Sequence, residues 1–333
     1  MFYWQEPEKD QANRGKKTKW VRLLRGRTSF TEVIRLSAKK PLRVGQLIEK
    51  NIKWLFPLPT GVFIFLMMIF PVLYTFYVSL TDWDMISGGL ISFIGLDNYI
   101  NLLKDPRFFN AVKLTLYFTV LAVGVEVILG VFIALVLNRD FRGKNIVKLF
   151  LLLPMVATPV AIGLAWTLFY EPTIGLGNYG LKLLGLPPSQ WLGSKAMVIP
   201  ALALVDIWEW TPMITLIVLA GLASLPQESF EAAFVDGASR FQIIRYVTLP
   251  LLRPTILIAL ILRCIDALKT FDIIYVMTTG GPGFASETLN IYAYNLSFNY
   301  FRFGAASAAL VALFTLVLAC NLIVLWMRKT YEM

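Results

Sequence analysis

The chain has 333 residues, of which 57% are hydrophobic and only 16% are charged. Soluble domains carry about 25% charged residues, and disordered chains are polar and poor in aromatic residues, so the composition excludes both classes. The sequence contains no His, which excludes a Ser–His or Cys–His catalytic arrangement within this chain and removes a common metal ligand. The composition therefore predicts a protein that uses lipid as a second solvent.

The net charge of +10 is concentrated at the N-terminus. Residues 1–53 hold 14 of the 31 Lys and Arg residues and 5 of the 21 Asp and Glu residues, and the rest of the chain is nearly neutral. A basic arm directly before an apolar segment is typical of a cytoplasmic flank in contact with anionic lipid. A nucleic-acid-binding protein would instead carry a basic face on a folded domain. We therefore expect membrane lipid, and no nucleic acid, as a partner of the arm. Its part over residues 30–53 is either an amphipathic helix on the membrane surface or a partly ordered tail.

Six apolar segments are long enough for a helix to cross the hydrocarbon core, which needs about 20 residues. They are residues 58–80, 114–137, 147–170, 196–222, 253–278 and 304–327. Lys and Arg are more frequent in the N-terminal arm and in the connections on the same side than in the opposite connections, which predicts that both termini are cytoplasmic. The predicted fold class is an all-α integral membrane protein. A cytoplasmic basic arm over residues 1–53 precedes a six-helix domain over residues 54–330. Cys264 and Cys320 lie in apolar runs and are expected to be packed thiols.

The connection over residues 223–250, on the predicted cytoplasmic side, has the pattern of two short helices joined by a turn. Pro226 and Ser229 are residues that begin helices, and Gly237 permits a sharp turn because it reaches positive φ at little cost. A second helix is predicted over about 238–248. From this pattern alone the segment is either a structural loop between helices or a compact projection that enters a groove on another protein.

The sequence EAAFVDGASRFQIIRYVTLPLLRP, from residue 231, resembles the EAA loop of permease subunits in binding-protein-dependent ABC importers. The matching positions are Glu231, Ala232, Ala233, Asp236, Gly237, Ala238, Leu249 and Pro250. Ile244 stands where the family often has Phe. Residues 93–108 and 268–294 resemble segments of the carbohydrate-uptake branch, which includes permeases of the maltose and glycerol-phosphate type. The resemblance extends over about residues 55–330.

This resemblance implies a type I ABC importer permease in the inner membrane of a bacterial-type cell. Such a chain forms half of a pore that moves a sugar, oligosaccharide or related polyol into the cytoplasm by alternating access. The implied partners are a second, similar permease subunit, an ABC ATPase dimer and an extracytoplasmic solute-binding protein. Residues 81–112, 171–195 and 280–284 are expected to contact the last of these.

The coupling role in this scheme falls on the EAA residues, which would carry the movement of the ATPase dimer to the transmembrane helices. The sequence contains no G-x-x-x-x-G-K-[ST] motif, so ATP and Mg are expected on the partner ATPase. We expect this chain to bind no cofactor or metal and to catalyse no reaction itself.

Ionisable residues lie within two of the apolar segments, where charge is costly and often functional. They are Asp206 and Glu209 in the fourth segment, and Arg263, Asp266, Lys269 and Asp272 at intervals of three in the fifth. These residues form either internal salt bridges or a polar translocation path. The candidate substrate cavity consists of Asp206, Trp208, Glu209, Trp210, Asp266, Lys269 and Thr270, with aromatic faces from Phe271 and Tyr275. Glu126, alone in the second segment, is expected to face a partner helix.

Two other functions compete with the importer interpretation. A proton- or sodium-coupled secondary transporter is suggested by the acidic residues Asp206, Glu209 and Asp266, but it offers no account of the EAA loop. A membrane-embedded enzyme would need catalytic groups that a chain without His and without a clustered metal site lacks.

Overall fold

The computed structural model describes residues 52–54, 56–86, 88 and 91–331, with side chains through Trp326. The chain divides into two compact units, Met1–Phe70 and Pro71–Met333. The basic arm predicted over residues 1–53, apart from its last two positions, lies outside the described residues. Its amphipathic helix and its membrane contact therefore stay predictions.

The described part of the first unit is an apolar helical segment. It consists of α1 (Leu58–Ile64) and a π-helical turn over Phe65–Ile69. None of these residues is buried, although nearly all of them are apolar. An exposed helix that is apolar on all faces is expected where lipid replaces water.

The second unit is built from helices of very different lengths. The first of them, α2 (Phe70–Ser79), begins at the last residue of the first unit. The others are α3 (Asp97–Leu102), α4 (Pro106–Leu137), α5 (Lys144–Val156), α6 (Pro159–Phe169), α7 (Leu176–Leu183), α8 (Val198–Ala223), α9 (Gln227–Val235), α10 (Arg240–Ile243), α11 (Leu249–Leu268), α12 (Asp272–Thr278), α13 (Leu289–Tyr294) and α14 (Phe303–Tyr331). A π-helical turn over Ile244–Thr248 joins α10 to α11, and another over Asn295–Asn299 follows α13.

Among the described residues, four helices are long and apolar enough to cross a membrane. They are Ile52–Ser79, Pro106–Leu137, Val198–Ala223 and Phe303–Trp326. Helices α5 and α6 pass the same test only as a bent pair, which makes up to five spans. Helix α11 carries Arg253, Arg263 and Asp266 and is not one of these spans. The six-crossing count stays a prediction.

The third apolar segment, predicted as one helix over 147–170, is two helices bent by 98°. Pro159 is the first residue of α6, and the two residues before it have extended ψ angles of 152° and 140°. The bend follows because the proline ring disfavours helical geometry in the residue that precedes it. Pro154 lies inside α5 without ending it.

The fifth segment, predicted as one helix over 253–278, is also interrupted. Helix α11 ends at Leu268 and α12 begins at Asp272. The side-chain amide of Asn290 donates to the carbonyl of Lys269 at 2.8 Å, and this satisfies one of the carbonyls that a helix end leaves without a partner. The predicted run of charges at intervals of three therefore does not continue along a single helix beyond Asp266.

Helix α8 lies at the centre of the second unit, where it packs against α4, α5 and α11. Its buried residues include Leu202, Val205 and Ile214. Glycines bring these helices close together. A Cβ atom on Gly130 of α4 would lie 2.6 Å from Cγ2 of Ile214, and one on Gly221 of α8 would lie 2.7 Å from Cγ2 of Thr255 in α11. Small residues at helix contacts are typical of membrane bundles, where close van der Waals packing drives association.

Candidate functional site

The EAA loop, residues 223–250, folds as a hairpin of two helical segments. Helix α9 begins after Pro226, whose backbone is extended. At its other end, Gly237 has φ of +73°, while the amide of Ala238 donates to the carbonyl of Ala233 at 3.0 Å and the amide of Gly237 donates to that of Phe234 at 3.1 Å. These two bonds form a Schellman motif, in which a left-handed residue satisfies the last helix carbonyls.

The second helical segment begins at Arg240, two residues later than the predicted start, and Ser239 is its N-cap. The amide of Ser239 donates to Oε1 of Gln242 at 2.7 Å, and the amide of Gln242 donates to Oγ of Ser239 at 3.4 Å. This reciprocal pair is a capping box, which satisfies two amides at a helix start. The predicted turn and second helix are thus present, and the capping side chains set where the second helix begins.

The tip of the hairpin is exposed. Of the six EAA residues, Glu231, Ala232, Asp236 and Gly237 are exposed, and Ala233 and Ala238 are half-buried. Val235 is 88% exposed and Phe234 is 65% exposed. Apolar side chains exposed together on a projecting turn are typical of a protein-contact surface.

A cavity of about 1140 Å³ lies between the EAA loop and the ends of α4 and α8. Its walls include Leu135 and Val136 of α4, Leu222 of α8, and Phe230 and Phe241 of the loop. The C-terminal ends of α4 and α8 and the start of the α10–α11 segment therefore lie at the same end of the second unit.

A cluster of buried charges joins three helices. The Arg263 guanidinium donates from Nε to Oε2 of Glu126 at 2.7 Å, from Nη2 to Oε1 of Glu126 at 3.0 Å, and from Nη2 to Oδ2 of Asp206 at 2.7 Å. The side chains of all three residues are at most 1% exposed. Glu126 therefore faces a partner helix, α11. Asp206 forms an internal salt bridge, which is one of the two interpretations given above for the buried charges. We call these three residues the ion cluster.

Two further candidate residues lie beside the ion cluster. The Trp210 ring centroid lies 5.0 Å from Cζ of Arg263, a distance suited to a cation–π contact. Glu209 is 1% exposed, and its Oε2 atom has no hydrogen-bond partner among the described residues. A buried polar atom without a partner costs free energy, so Glu209 is the candidate most suited to receive a donor from a ligand. Trp208 is 46% exposed and packs edge-to-face on Trp166.

The remaining candidates lie where α11 ends. Nζ of Lys269 lies 3.2 Å from Oδ1 of Asp266, and both side chains are about half exposed. The hydroxyl of Thr270 donates to the carbonyl of Asp266 at 3.3 Å. Lys269 is thus paired with Asp266, and Thr270 contacts the end of α11, whereas Asp206 and Trp210 contact Arg263.

Next to this break is a wall of aromatic rings. Phe271 stacks on Tyr275 with ring centroids 5.1 Å apart, Tyr294 contacts both rings, and Phe298 contacts Tyr294 at 4.9 Å. The sequence pattern pointed to Phe271 and Tyr275 and missed Tyr294 and Phe298. Their spacing of four residues was the available signal, because such residues share one helix face.

The opposite end of the second unit holds a separate polar network. The Arg107 guanidinium donates to both carboxylate oxygens of Glu287, and its Cζ lies 4.0 Å from the Phe284 ring centroid. The Tyr292 hydroxyl donates to Oδ2 of Asp105 at 2.7 Å. Burial of Tyr292 raises its pKa above the usual value, and this hydrogen bond adds a smaller increase. The network fixes the segment after α12 to the start of α4.

Residues 126–332 match the family model of the binding-protein-dependent transport system inner membrane component. The chain is 40% identical over 272 residues to a probable ABC transporter permease protein of Sinorhizobium fredii, covering 81% of this chain and 88% of that protein. It is 38% identical over 277 residues to the trehalose/maltose transport system permease protein of Thermococcus litoralis, covering 83% and 93%. Its fold resembles that of a bacterial ABC transporter involved in the import of the acidic polysaccharide alginate, with a TM-score of 0.75 at 23% identity over 87% of this chain and 99% of that chain.

Proposed function

The chain belongs to the family of inner membrane components of binding-protein-dependent transport systems and is an ABC importer permease, and we propose that it moves a sugar, oligosaccharide or related polyol into the cytoplasm by alternating access. The observation that carries the proposal is the EAA hairpin, an exposed helical projection whose second segment continues directly into α11. The substrate class is supported by the trehalose/maltose permease among its relatives. It is also supported by the aromatic wall, since sugars stack on aromatic faces.

The chain functions as one half of a pore with a second, similar permease subunit. A separate ABC ATPase dimer binds ATP and Mg and grips the EAA loop, and an extracytoplasmic solute-binding protein delivers the substrate. This chain performs no bond chemistry itself. The exposed Phe234 and Val235 support the ATPase contact, because such side chains at the tip of a rigid turn suit a groove on a partner.

The end that carries the EAA loop faces the cytoplasm, together with both termini, in an inner membrane crossed six times. The basic residues 1–53 support this orientation. The opposite end, with residues 81–112, 171–195 and 280–284, then faces the binding protein.

The substrate path runs past Glu209, Trp210, Lys269 and Thr270, with Asp206, Trp208 and Asp266 beside it. The unpartnered carboxylate oxygen of Glu209 supports this assignment, since a sugar hydroxyl would supply the missing donor. The aromatic wall offers the apolar faces of such a site.

The test is uptake by proteoliposomes that contain the permease pair and the ATPase dimer. The binding protein is supplied outside, and ATP is enclosed inside. We expect uptake of the ligand that mass spectrometry finds on the binding protein, and we expect no uptake when ADP replaces ATP. Uptake that continues without ATP and stops with an ionophore would instead indicate an ion-coupled secondary transporter.

A further inference from the structure

We propose that the ion cluster of Arg263, Glu126 and Asp206 is a mechanical joint that holds α4, α8 and α11 in fixed register, so that displacement of the EAA loop moves the three helices together. The inference rests on the proposed function, because it assigns positioning residues to the same transport cycle.

The first support is the geometry of the cluster. One guanidinium donates three hydrogen bonds of 2.7 to 3.0 Å to carboxylates on two other helices. Two of these bonds are paired on Glu126, which fixes the orientation of the planar group. Apolar side chains allow neighbouring helices to slide past each other, whereas directional bonds among Arg263, Glu126 and Asp206 do not.

The second support is energetic. Replacing a buried ion pair or triad by apolar residues of similar volume is often neutral or stabilising, because desolvation of the charges offsets their attraction. In this bundle, apolar side chains of similar volume at positions 126, 206 and 263 would therefore stabilise the fold as well as the charged side chains do. Charges at membrane depth call for another role, and fixed register is one that apolar side chains do not supply.

The third support is continuity between the cluster and the EAA loop. Helical structure runs without a break from Arg240, through the π-helical turn Ile244–Thr248, to Leu268. At a rise of 1.5 Å per residue, Arg263 lies about 35 Å along this segment from Arg240. Displacement of the hairpin is thus carried along one helical rod to the Arg263 side chain.

The fourth support is the close packing between the cluster and the loop. The glycine contacts of Gly130 with Ile214 and of Gly221 with Thr255 join the same three helices. Both contacts lie on the loop side of the ion cluster. Close contacts prevent the helices from separating, and the ion cluster prevents them from slipping lengthwise.

The experiment compares wild type with the triple variant Glu126→Met/Asp206→Leu/Arg263→Met in the proteoliposomes described above. Substrate imported and ATP hydrolysed are measured together. We expect the triple variant to assemble with near-wild-type thermal stability and to keep hydrolysing ATP. The number of substrate molecules imported per ATP should fall about fivefold or more, where fivefold is the low end of the range of typical coupling free energies.

Two single variants sharpen the comparison. Thr119→Val removes a buried hydroxyl without a hydrogen-bond partner among the described residues from the same helix as Glu126, and it should keep the wild-type ratio. Arg263→Lys keeps the charge but cannot pair both oxygens of Glu126 in the same planar geometry, so we expect an intermediate ratio.

The joint is ruled out if the triple variant imports as many molecules per ATP as wild type. A triple variant that fails to assemble would also overturn the proposal, because the ions would then serve to hold the fold. Failure of the importer function itself appears separately, as a wild-type complex without ATP-driven uptake.

Discussion

The backbone amide of Ala238 donates to the carbonyl of Ala233 at 3.0 Å. This bond ends α9, and Gly237 lies within the turn in the left-handed conformation. In the described part of the chain, a Cβ atom added to Gly237 would meet nothing within 4 Å. Substitution at this position therefore strains the backbone at its φ of +73°, but the added Cβ atom clashes with none of the described residues. An effect larger than this strain would indicate a partner that approaches the turn.

Gly237→Asp should leave the permease in the membrane and abolish ATP-driven uptake. Asp and Asn enter the left-handed region more readily than other residues with side chains, so Gly237→Asn is the matched variant without the added charge. Both should reach wild-type abundance in the membrane. Because a carboxylate in the ATPase groove would be desolvated without a partner, we expect the Asp variant to bind the ATPase more weakly than the Asn variant. The measurement is co-purification of the ATPase together with uptake. Wild-type uptake by the Asp variant contradicts the coupling role of the turn.

The sequence places the EAA turn well because its signals are local. Gly237 supplies positive φ, and Ser239 with Gln242 supplies the cap, within six residues of chain. The apolar runs likewise identify α4, α8 and α14, although the start of α4 at Pro106 was missed because its first turns carry Arg107 and Lys113.

What the sequence cannot give is the pairing between helices. Glu126 and Arg263 are 137 residues apart, and their contact depends on the relative rotation and height of α4 and α11. Breaks are similarly hard to place, because Pro154 stays inside a helix whereas Pro159 starts one. The interruption at Lys269 is stabilised by Asn290, a residue distant in sequence.

Two glycines of α4 illustrate the same limit and give a sharp prediction. Gly130→Ala should destabilise the protein, because its Cβ atom would lie 2.6 Å from Ile214, and overpacking costs about 1–3 kcal/mol. Gly124→Ala is the matched control, since a Cβ there would meet none of the residues that the structure describes within 4 Å and alanine has the better helix propensity by about 1 kcal/mol. Thermal unfolding of the purified complex should rank Gly124→Ala at or above wild type and Gly130→Ala below it. Equal melting temperatures for the two variants would show that α4 and α8 are not in close contact at this height.

Glu209→Gln and Lys269→Met test the proposed substrate path. If each side chain contacts the substrate, its loss should lower uptake about tenfold or more, because hydrogen bonds to charged groups contribute about 1.5–3 kcal/mol. Lys144→Met is the control, since its ion pair with Asp140 is exposed and such pairs contribute little. Uptake is measured at saturating ATP and binding protein, with complex abundance checked by gel filtration. The path as assigned would be excluded by wild-type uptake in both variants.

The contact between the EAA loop and the ATPase is tested most directly by photo-cross-linking in the purified, reconstituted complex. A benzophenone amino acid replaces Val235, which is 88% exposed beside the turn. The control replaces Ile174, which is 87% exposed and belongs to residues 171–195, the segment proposed to face the binding protein. We predict that the probe at position 235 forms a covalent adduct with the ATPase chain and that the probe at position 174 does not. An assembled, transport-active complex in which the probe at position 235 reacts only with water or lipid would contradict the account.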